Sequence, residues 1–483
     1  MRPPRLGDFA MGNRHEFVPE SFIKALQAGI SGFGNLSERH QFHLAKLVWE
    51  EGLKHRRHKK YPECMSIGYL ELARRFGRGS FDVINTKLGL FEASPNWYWQ
   101  GSQDQKNATR WYTLTPSARA TKDDYLHASS CAEDRLLYLD GIGSLKVLRS
   151  VPGSIAAKVD DDPDGITATA WRGCQITNRV PVNIEQLRIL QAQLAKMLAN
   201  SGQNDFFAAA DRNDIERRLN AAAQLLRLAQ TDVAGQGYVL QRYAECKTGR
   251  LYVHGLSLQT VPRLVRKAAL HGLHDYDIEN CHFAIFEQMA SRYGYAADAI
   301  RSYLGNKKAI RLGIANRTGI TIEQAKACLL AIMFGARTTT WSANAIPEEI
   351  GVFKAKILLK DPEFAAIAND IKRGRRAILK HWPRRRTALL NDLGKPISTA
   401  NKDEVILAHL IQGIEAKALR SVVKLFGGEI VLLMHDGFVT RHPINIATAG
   451  RQIRAETGYE LMLSNSVIQV PPNLEFSRTM KAR

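Results

Sequence analysis

The run Ile430-Val431-Leu432-Leu433-Met434 constrains the fold more than any other stretch of this chain. An unbroken apolar run with β-branched residues, stopped by a turn, is the signature of a buried strand. It ends in His435-Asp436-Gly437 and resumes as Phe438-Val439, so a carboxylate stands at the mouth of that strand. A charge in such a place is costly unless it is used. A second segment has the same form. Leu273-His274-Asp275-Tyr276-Asp277-Ile278 reads as a short strand presenting Asp277, and a helix with apolar Phe283, Ile285, Phe286 and Met289 follows. Two short strands, each presenting a carboxylate, with helices between them in sequence, predict an α+β fold.

With 483 residues the chain exceeds one ordinary domain and implies two or three. Hydrophobic residues make up 45%, yet no run is long enough to cross a bilayer, so packed cores and no membrane partner are expected. Met1-Arg2-Pro3-Pro4-Arg5 lacks an apolar stretch, and no secretory signal is expected. Cys64, Cys131, Cys174, Cys246, Cys281 and Cys328 form no CxxC pair. That spacing argues against a zinc ribbon or disulfide framework and for a reducing, cytoplasmic setting. Sixty-seven Lys and Arg against 47 Asp and Glu give a net charge of +20, which favours a polyanionic partner, nucleic acid first. No GxxxxGK[ST] loop is present, so a phosphate-loop helicase is not supported.

Further blocks flank the two aspartates. Thr248-Gly249-Arg250-Leu251 is followed by Leu258-Gln259, Pro262 and Arg266. Lys326 and Phe334-Gly335 lie about two turns apart on one helical face. Gln412-Gly413 sits in a helical segment running from Ala408 to Lys417. Read in order with Asp277 and His435-Asp436, these blocks resemble the polymerase region of family A nucleic-acid polymerases. That is the group of bacterial DNA polymerase I and, more distantly, the phage-type single-subunit RNA polymerases. The pattern TGRLxxxxxxLQxxP is matched with its internal spacing intact, and the resemblance spans the 240s to the 440s.

The resemblance implies a right-hand polymerase, with an antiparallel palm sheet and helical fingers and thumb. It also implies template-directed nucleotidyl transfer, most simply by a DNA-directed DNA polymerase of plasmid or phage replication. Two Mg2+ ions would be held by Asp277, the Ile278 carbonyl and Asp436. His282, Lys326, Phe334 and Gly335 fall on nucleotide-binding positions, with Lys326 placed to protonate the departing pyrophosphate. Arg250, Gln259, Arg266, Gln412 and His435 fall on positions that handle the primer-template. Counting from Asp277 puts Cys281 and His282 at the family's apolar and sugar-discriminating positions; counting from the rival Asp275 gives Glu279 and Asn280, which fit poorly.

A bulky His282 would crowd a ribose 2′-hydroxyl, and Phe334 lacks the hydroxyl that RNA polymerases use there; both favour deoxynucleotides. The chain departs from the family at three places. Phe334 replaces the usual Tyr, Ile322 replaces an Arg, and Gly437 stands where DNA polymerases commonly carry Glu. Lys307, Lys308, Arg311 or Arg317 would have to supply the missing cation. The alternatives are a single-subunit RNA polymerase or primase, and a non-catalytic DNA-binding replication initiator.

Residues 1–120 are expected to form a separate small domain. Helical periodicity is clear at 20–26, 41–49, 66–77 and 80–88, and the alternation around Trp97-Tyr98-Trp99 and Thr109–Leu114 suits a two-stranded wing about the polar turn 101–107. The segment resembles the winged-helix domain of plasmid and phage replication proteins. By that resemblance Arg74, Arg75, Arg78 and Lys87 would meet promoter or origin DNA. Residues 121–182 read as a connector carrying a solvated acidic loop, Asp160 to Gly165. Residues 183–483 read as the polymerase region, with paired thumb helices at about 183–235 and palm and fingers at about 236–483. The cluster Lys372-Arg373-Gly374-Arg375-Arg376 with Arg384-Arg385-Arg386 is a candidate phosphate track.

Overall fold

A computed structural model describes residues 18–51, 64–95, 98–99, 108–127, 136–139, 144–148, 175–200, 206–232, 234–253, 257–385 and 388–471. The acidic loop 160–165, the turn 101–107, Trp97, Cys131, Cys174 and Arg386 lie outside the described residues. The fold is α+β, with small antiparallel sheets set among many helices.

The described residues build two hydrophobic cores. The first unit contains β1 (Val18–Pro19), α1 (Glu20–Gly29), α2 (Glu38–Glu50), β2 (Met65–Gly68), α3 (Tyr69–Phe76), α4 (Ser80–Leu88) and β3 (Phe91–Ala93). It continues with β4 (Tyr98–Trp99), β5 (Ala108–Leu114), α5 (Pro116–His127), β6 (Leu136–Leu139) and β7 (Leu145–Leu148). The helix expected from Ser66 begins only at Tyr69. Ser66 and Ile67 instead pair with Trp111 and Arg110 as strand, because β5 needs a partner for its backbone groups. The first core takes in Tyr125, Leu126 and Leu137, and β1 pairs with β6. This unit therefore runs past residue 120, into what the sequence suggested was a connector.

The second core begins with β8 (Gln175–Pro181), α6 (Ile184–Asn200), α7 (Phe206–Leu228), β9 (Gln230–Thr231), β10 (Gly237–Glu245) and β11 (Leu251–Val253). Here too the expected boundary moves. β8 is no connector but pairs along β10 from Gln175 to Pro181. The helices α6 and α7 pack together as the leucine spacing foretold. α7 also joins the units: Leu219 and Leu225 enter the second core, while Ala223 enters the first. On that seam Gln224 donates to the Trp49 carbonyl at 2.6 Å, and Arg227 donates to the Tyr125 carbonyl at 2.5 Å.

The remainder contains α8 (Arg263–Ala269), β12 (His274–Ile278), α9 (Cys281–Arg292), α10 (Asp298–Gly305), α11 (Lys307–Thr318), α12 (Ile322–Met333), α13 (Ala345–Ile350), α14 (Val352–Leu358) and α15 (Pro362–His381). After these come β13 (Arg384–Arg385), β14 (Ala388–Leu390), β15 (Pro396–Ile397), α16 (Asp403–Phe426), β16 (Ile430–Leu433), β17 (Gly437–Thr440), α17 (Ile446–Thr457) and β18 (Leu463–Val467). The sheet β16-β17-β12-β18 is the floor on which the two aspartates meet.

Candidate active site

The apolar run is a fully buried strand, β16, and returns at once as β17. The turn between them is closed by Met434 N–H donating to the Gly437 carbonyl at 2.8 Å, which leaves His435 and Asp436 at its tip. β12 lies beside β17, with Tyr276 opposite Phe438 and Asp277 opposite Gly437. The Tyr276 and Phe438 rings stack at 5.1 Å and 5°. Past the last pair, Ile278 N–H donates to the Asp436 carbonyl at 2.8 Å. Asp277 and Asp436, far apart in sequence, therefore stand at the same end of adjacent strands.

Strand alternation buries Tyr276 and Ile278 and turns Asp275 and Asp277 to the opposite, open face. Their surroundings differ. The Asp277 carboxyl is pushed up to about 7, by burial first, then by Asp436, Asp275 and Glu279, while Lys326 opposes the shift. Asp275 is also raised, by burial, but the opposing cations are Arg266, Arg263 and Lys267 around α8. Both aspartates lie in the field of Asp436, but Asp277, paired opposite Gly437, is the one level with it and opposed by Lys326, whereas Asp275 sits two residues back toward the cations of α8. Two carboxylates whose mutual repulsion raises a pKa are a donor set for a hard divalent cation, which would relieve that repulsion. Among the described residues no group of three or more His, Cys, Asp or Glu is gathered as a closed metal cage. Such a cation would complete its shell with water, backbone or substrate oxygens.

Lys326 sits on α12, whose first turn is held by a capping box between Thr321 and Gln324. Lys326 and Phe334 are both exposed. Gly335 follows with φ +86°, and a Cβ there would run into the Glu404 side chain, so only glycine lets α16 approach. Of the four cations proposed for the place of Ile322, Arg317 is spent on Asp361 at 2.6 Å and Glu363 at 2.5 Å. Lys307 bridges Glu279 at 2.5 Å, and Arg311 donates to Asn280 at 3.1 Å. Those two therefore bear on the segment just after Asp277.

The blocks expected to touch nucleic acid are less exposed than their motif suggested. Arg250 is buried, and its Nε and Nη2 each donate to Glu415 at 2.6 Å. Glu415 is 0% exposed; burial pushes its carboxyl up, but His282 and Arg250 outweigh that and hold it below the ordinary range. His282 Nε2 lies 2.8 Å from Glu415 Oε2, and its ring meets Phe334 edge-on at 4.9 Å. Gln259 accepts from Val253 N–H at 2.9 Å and donates to the Leu433 carbonyl at 2.7 Å, clamping β11 to β16.

Arg266 reaches the Leu258 carbonyl at 3.5 Å and lies in the field of Asp275. Gln412 is half-buried, and at Gly413 a Cβ would lie 2.6 Å from Asn391 Nδ2, which donates to the Thr248 carbonyl at 2.9 Å. The His435 ring lies 4.6 Å from Tyr252; burial, then Arg250, lowers its pKa and keeps it neutral near pH 7.

Sequence reasoning missed Glu415 and Asn391. For Glu415 a signal existed, since Ile411, Glu415, Leu419 and Val422 share the buried phase of α16.

In the first unit α3 and α4 are joined through Gly77 (φ +89°) and Gly79 (φ +74°). Arg74, Arg78 and Lys87 are exposed. Arg75 is half-buried and pairs with Glu71 at 2.9 Å within its own helix. Buried Asn85 donates to the Phe91 carbonyl and accepts from its N–H, fixing α4 to β3. On α15, Lys372, Arg373, Arg376 and Lys380 are exposed, whereas Arg375 bridges Glu404 at 3.1 Å. The side chains of Arg384 and Arg385 lie outside the described residues. No protein-family model matches this chain, and no curated protein does.

Proposed function

We propose that this protein is a template-directed nucleotidyltransferase, a DNA polymerase of right-hand architecture. In this reading β16-β17-β12-β18 is the palm, α11 to α14 are the fingers and α6 with α7 the thumb. The observation that carries it is the meeting of Asp277 and Asp436 at one sheet edge, within the field of Lys326. Asp277 and Asp436, with the Ile278 carbonyl, would hold two Mg2+ ions. When bound, these supply charge neutralisation at the transferring phosphate and a lower pKa for the attacking hydroxyl. Lys326 donates a proton to the leaving pyrophosphate, and Lys307 and Arg311, exchanging Glu279 and Asn280 for the nucleotide, hold the phosphates in place of the missing arginine. Phe334 offers an exposed ring to the incoming base. Lys326→Ala is expected to lower kcat by roughly 100-fold or more with a smaller rise in nucleotide KM. Steady-state extension kinetics check this, and an unchanged kcat would remove Lys326 from the chemistry.

The exposed cations of α15 all fall within one arc of about 100°, opposite the face that buries Ile367, Ile371 and Ile378. We read them as a phosphate track for the nucleic-acid substrate. Arg373→Glu with Arg376→Glu should weaken primer-template binding and reduce the slope of log affinity against log salt by about 2. Binding titrations across a salt series test this, and an unchanged slope contradicts it. The first unit supports DNA binding as a winged helix, with α4 as the reading helix and Arg74, Arg78 and Lys87 at its surface.

A further inference from the structure

Glu415 is a carboxylate with no path to a ligand. It lies mid-helix in α16 with 0% exposure, and both its oxygens are taken: Oε1 by Arg250 Nε, Oε2 by Arg250 Nη2 and His282 Nε2, at 2.6, 2.6 and 2.8 Å. Burying such a charge costs several kcal/mol unless its partners are held in good geometry, so the carboxylate and its partners fix one another. What it fixes borders the site on two sides. Arg250 opens β11, whose Tyr252 packs on His435 next to Asp436. His282 is pressed between Glu415 and the exposed Phe334 ring.

Lys326 lies on α12 and Phe334 caps its C-terminal end eight residues on, about 12 Å along the axis. In the pose of the proposed function, with phosphates at Lys326 and the aspartates and the base at Phe334, the sugar lies on the Phe334 side, where His282 packs against that ring. We infer that Glu415 is a positioning residue that sets the His282–Phe334 wall and thereby the site's discrimination at the nucleotide sugar. The inference rests on the nucleotidyl-transfer reading, but nucleotide binding alone can test it.

Glu415→Gln keeps the volume and removes the charge, turning an amide donor toward two donors. Glu415→Asp keeps the charge on a shorter arm. The Gln variant should stay folded by circular dichroism, raise the KM for dATP roughly tenfold and shift the dATP:ATP efficiency ratio roughly tenfold, with kcat at saturation little changed. The Asp variant should recover part of both. A folded Gln variant with wild-type KM and ratio, or one losing kcat alone, overturns the inference. Calorimetric binding of dATP and ATP with Mg2+ separates the two readings. If wild type binds both but extends no primer, the transfer reading fails; the inference then stands if Gln shifts the binding ratio and falls if it does not. If wild type binds neither, both fail.

Discussion

Asp277→Asn and Asp436→Asn should each reduce extension of a primed template by roughly 10^3-fold to 10^4-fold, a loss of about 4–5.5 kcal/mol of transition-state stabilisation. Asparagine keeps the shape but cannot supply the charge that offsets a divalent cation. Duplex binding should survive, because the phosphate track proposed on α15 does not include either aspartate. The same substitution should have an opposite effect on stability. Folding raises the Asp277 pKa to about 7, above its unfolded value, so the folded protein binds the extra proton. The Asp277 contribution therefore makes the metal-free protein less stable as pH rises from about 4 to about 7, and Mg2+ should restore what is lost. Asp277→Asn removes the partly desolvated charge and with it the repulsion from Asp436, so at pH 8 without metal it should melt above wild type. Thermal melts with and without Mg2+ at pH 5 and 8 check this. A metal-free variant melting below wild type at pH 8 would contradict the assignment of a strained carboxylate pair.

Gly437→Ala should destabilise the protein by about 3 kcal/mol, lowering its melting temperature by roughly 5–10 °C, and Gly437→Glu by more. The reason is local. A Cβ at this position would run into the Tyr276 carbonyl oxygen, a backbone atom that cannot rotate aside. β12 and β17 would have to separate where they carry Asp277 and Asp436. A glutamate placed here, as in the DNA polymerases the sequence resembles, would open this sheet instead of adding a ligand. Differential scanning calorimetry decides the point, and wild-type stability for Gly437→Ala would show that the strands tolerate the side chain.

The strands bearing the aspartates were legible because their signals are local. An apolar run reads as a buried strand, and alternation around Tyr276 turns Asp275 and Asp277 to one face. The paired helices before Thr248 were legible for the same reason. The failures have a common cause in long-range packing. Nothing near Ser66 announces that β5 will take it as strand, and nothing in 121–182 tells that β8 will run beside β10. Motif residues carry a further ambiguity, because a polar side chain in a block can face either way. Gln259 turned inward to bind two strands together, and Arg250 found a buried carboxylate more than 160 residues on. Whether Asp277 or Asp275 faces the second aspartate was open in the residues alone. The register distinguishes them, since Asp277 pairs with Gly437 beside Asp436 and Asp275 pairs with Val439 two residues further along.

The central claim is nucleotidyl transfer at the Asp277–Asp436 edge, and primer extension tests it most directly. The full chain would be incubated with Mg2+, primed DNA and RNA templates, and labelled dNTPs or NTPs in separate reactions. Template-dependent extension on primed DNA, a preference for dNTPs, and loss of all product on chelation are the expected results. A preference for NTPs would transfer the reading to an RNA polymerase or primase. A folded protein that binds primed DNA and incorporates neither kind of nucleotide under any of these conditions would contradict the account.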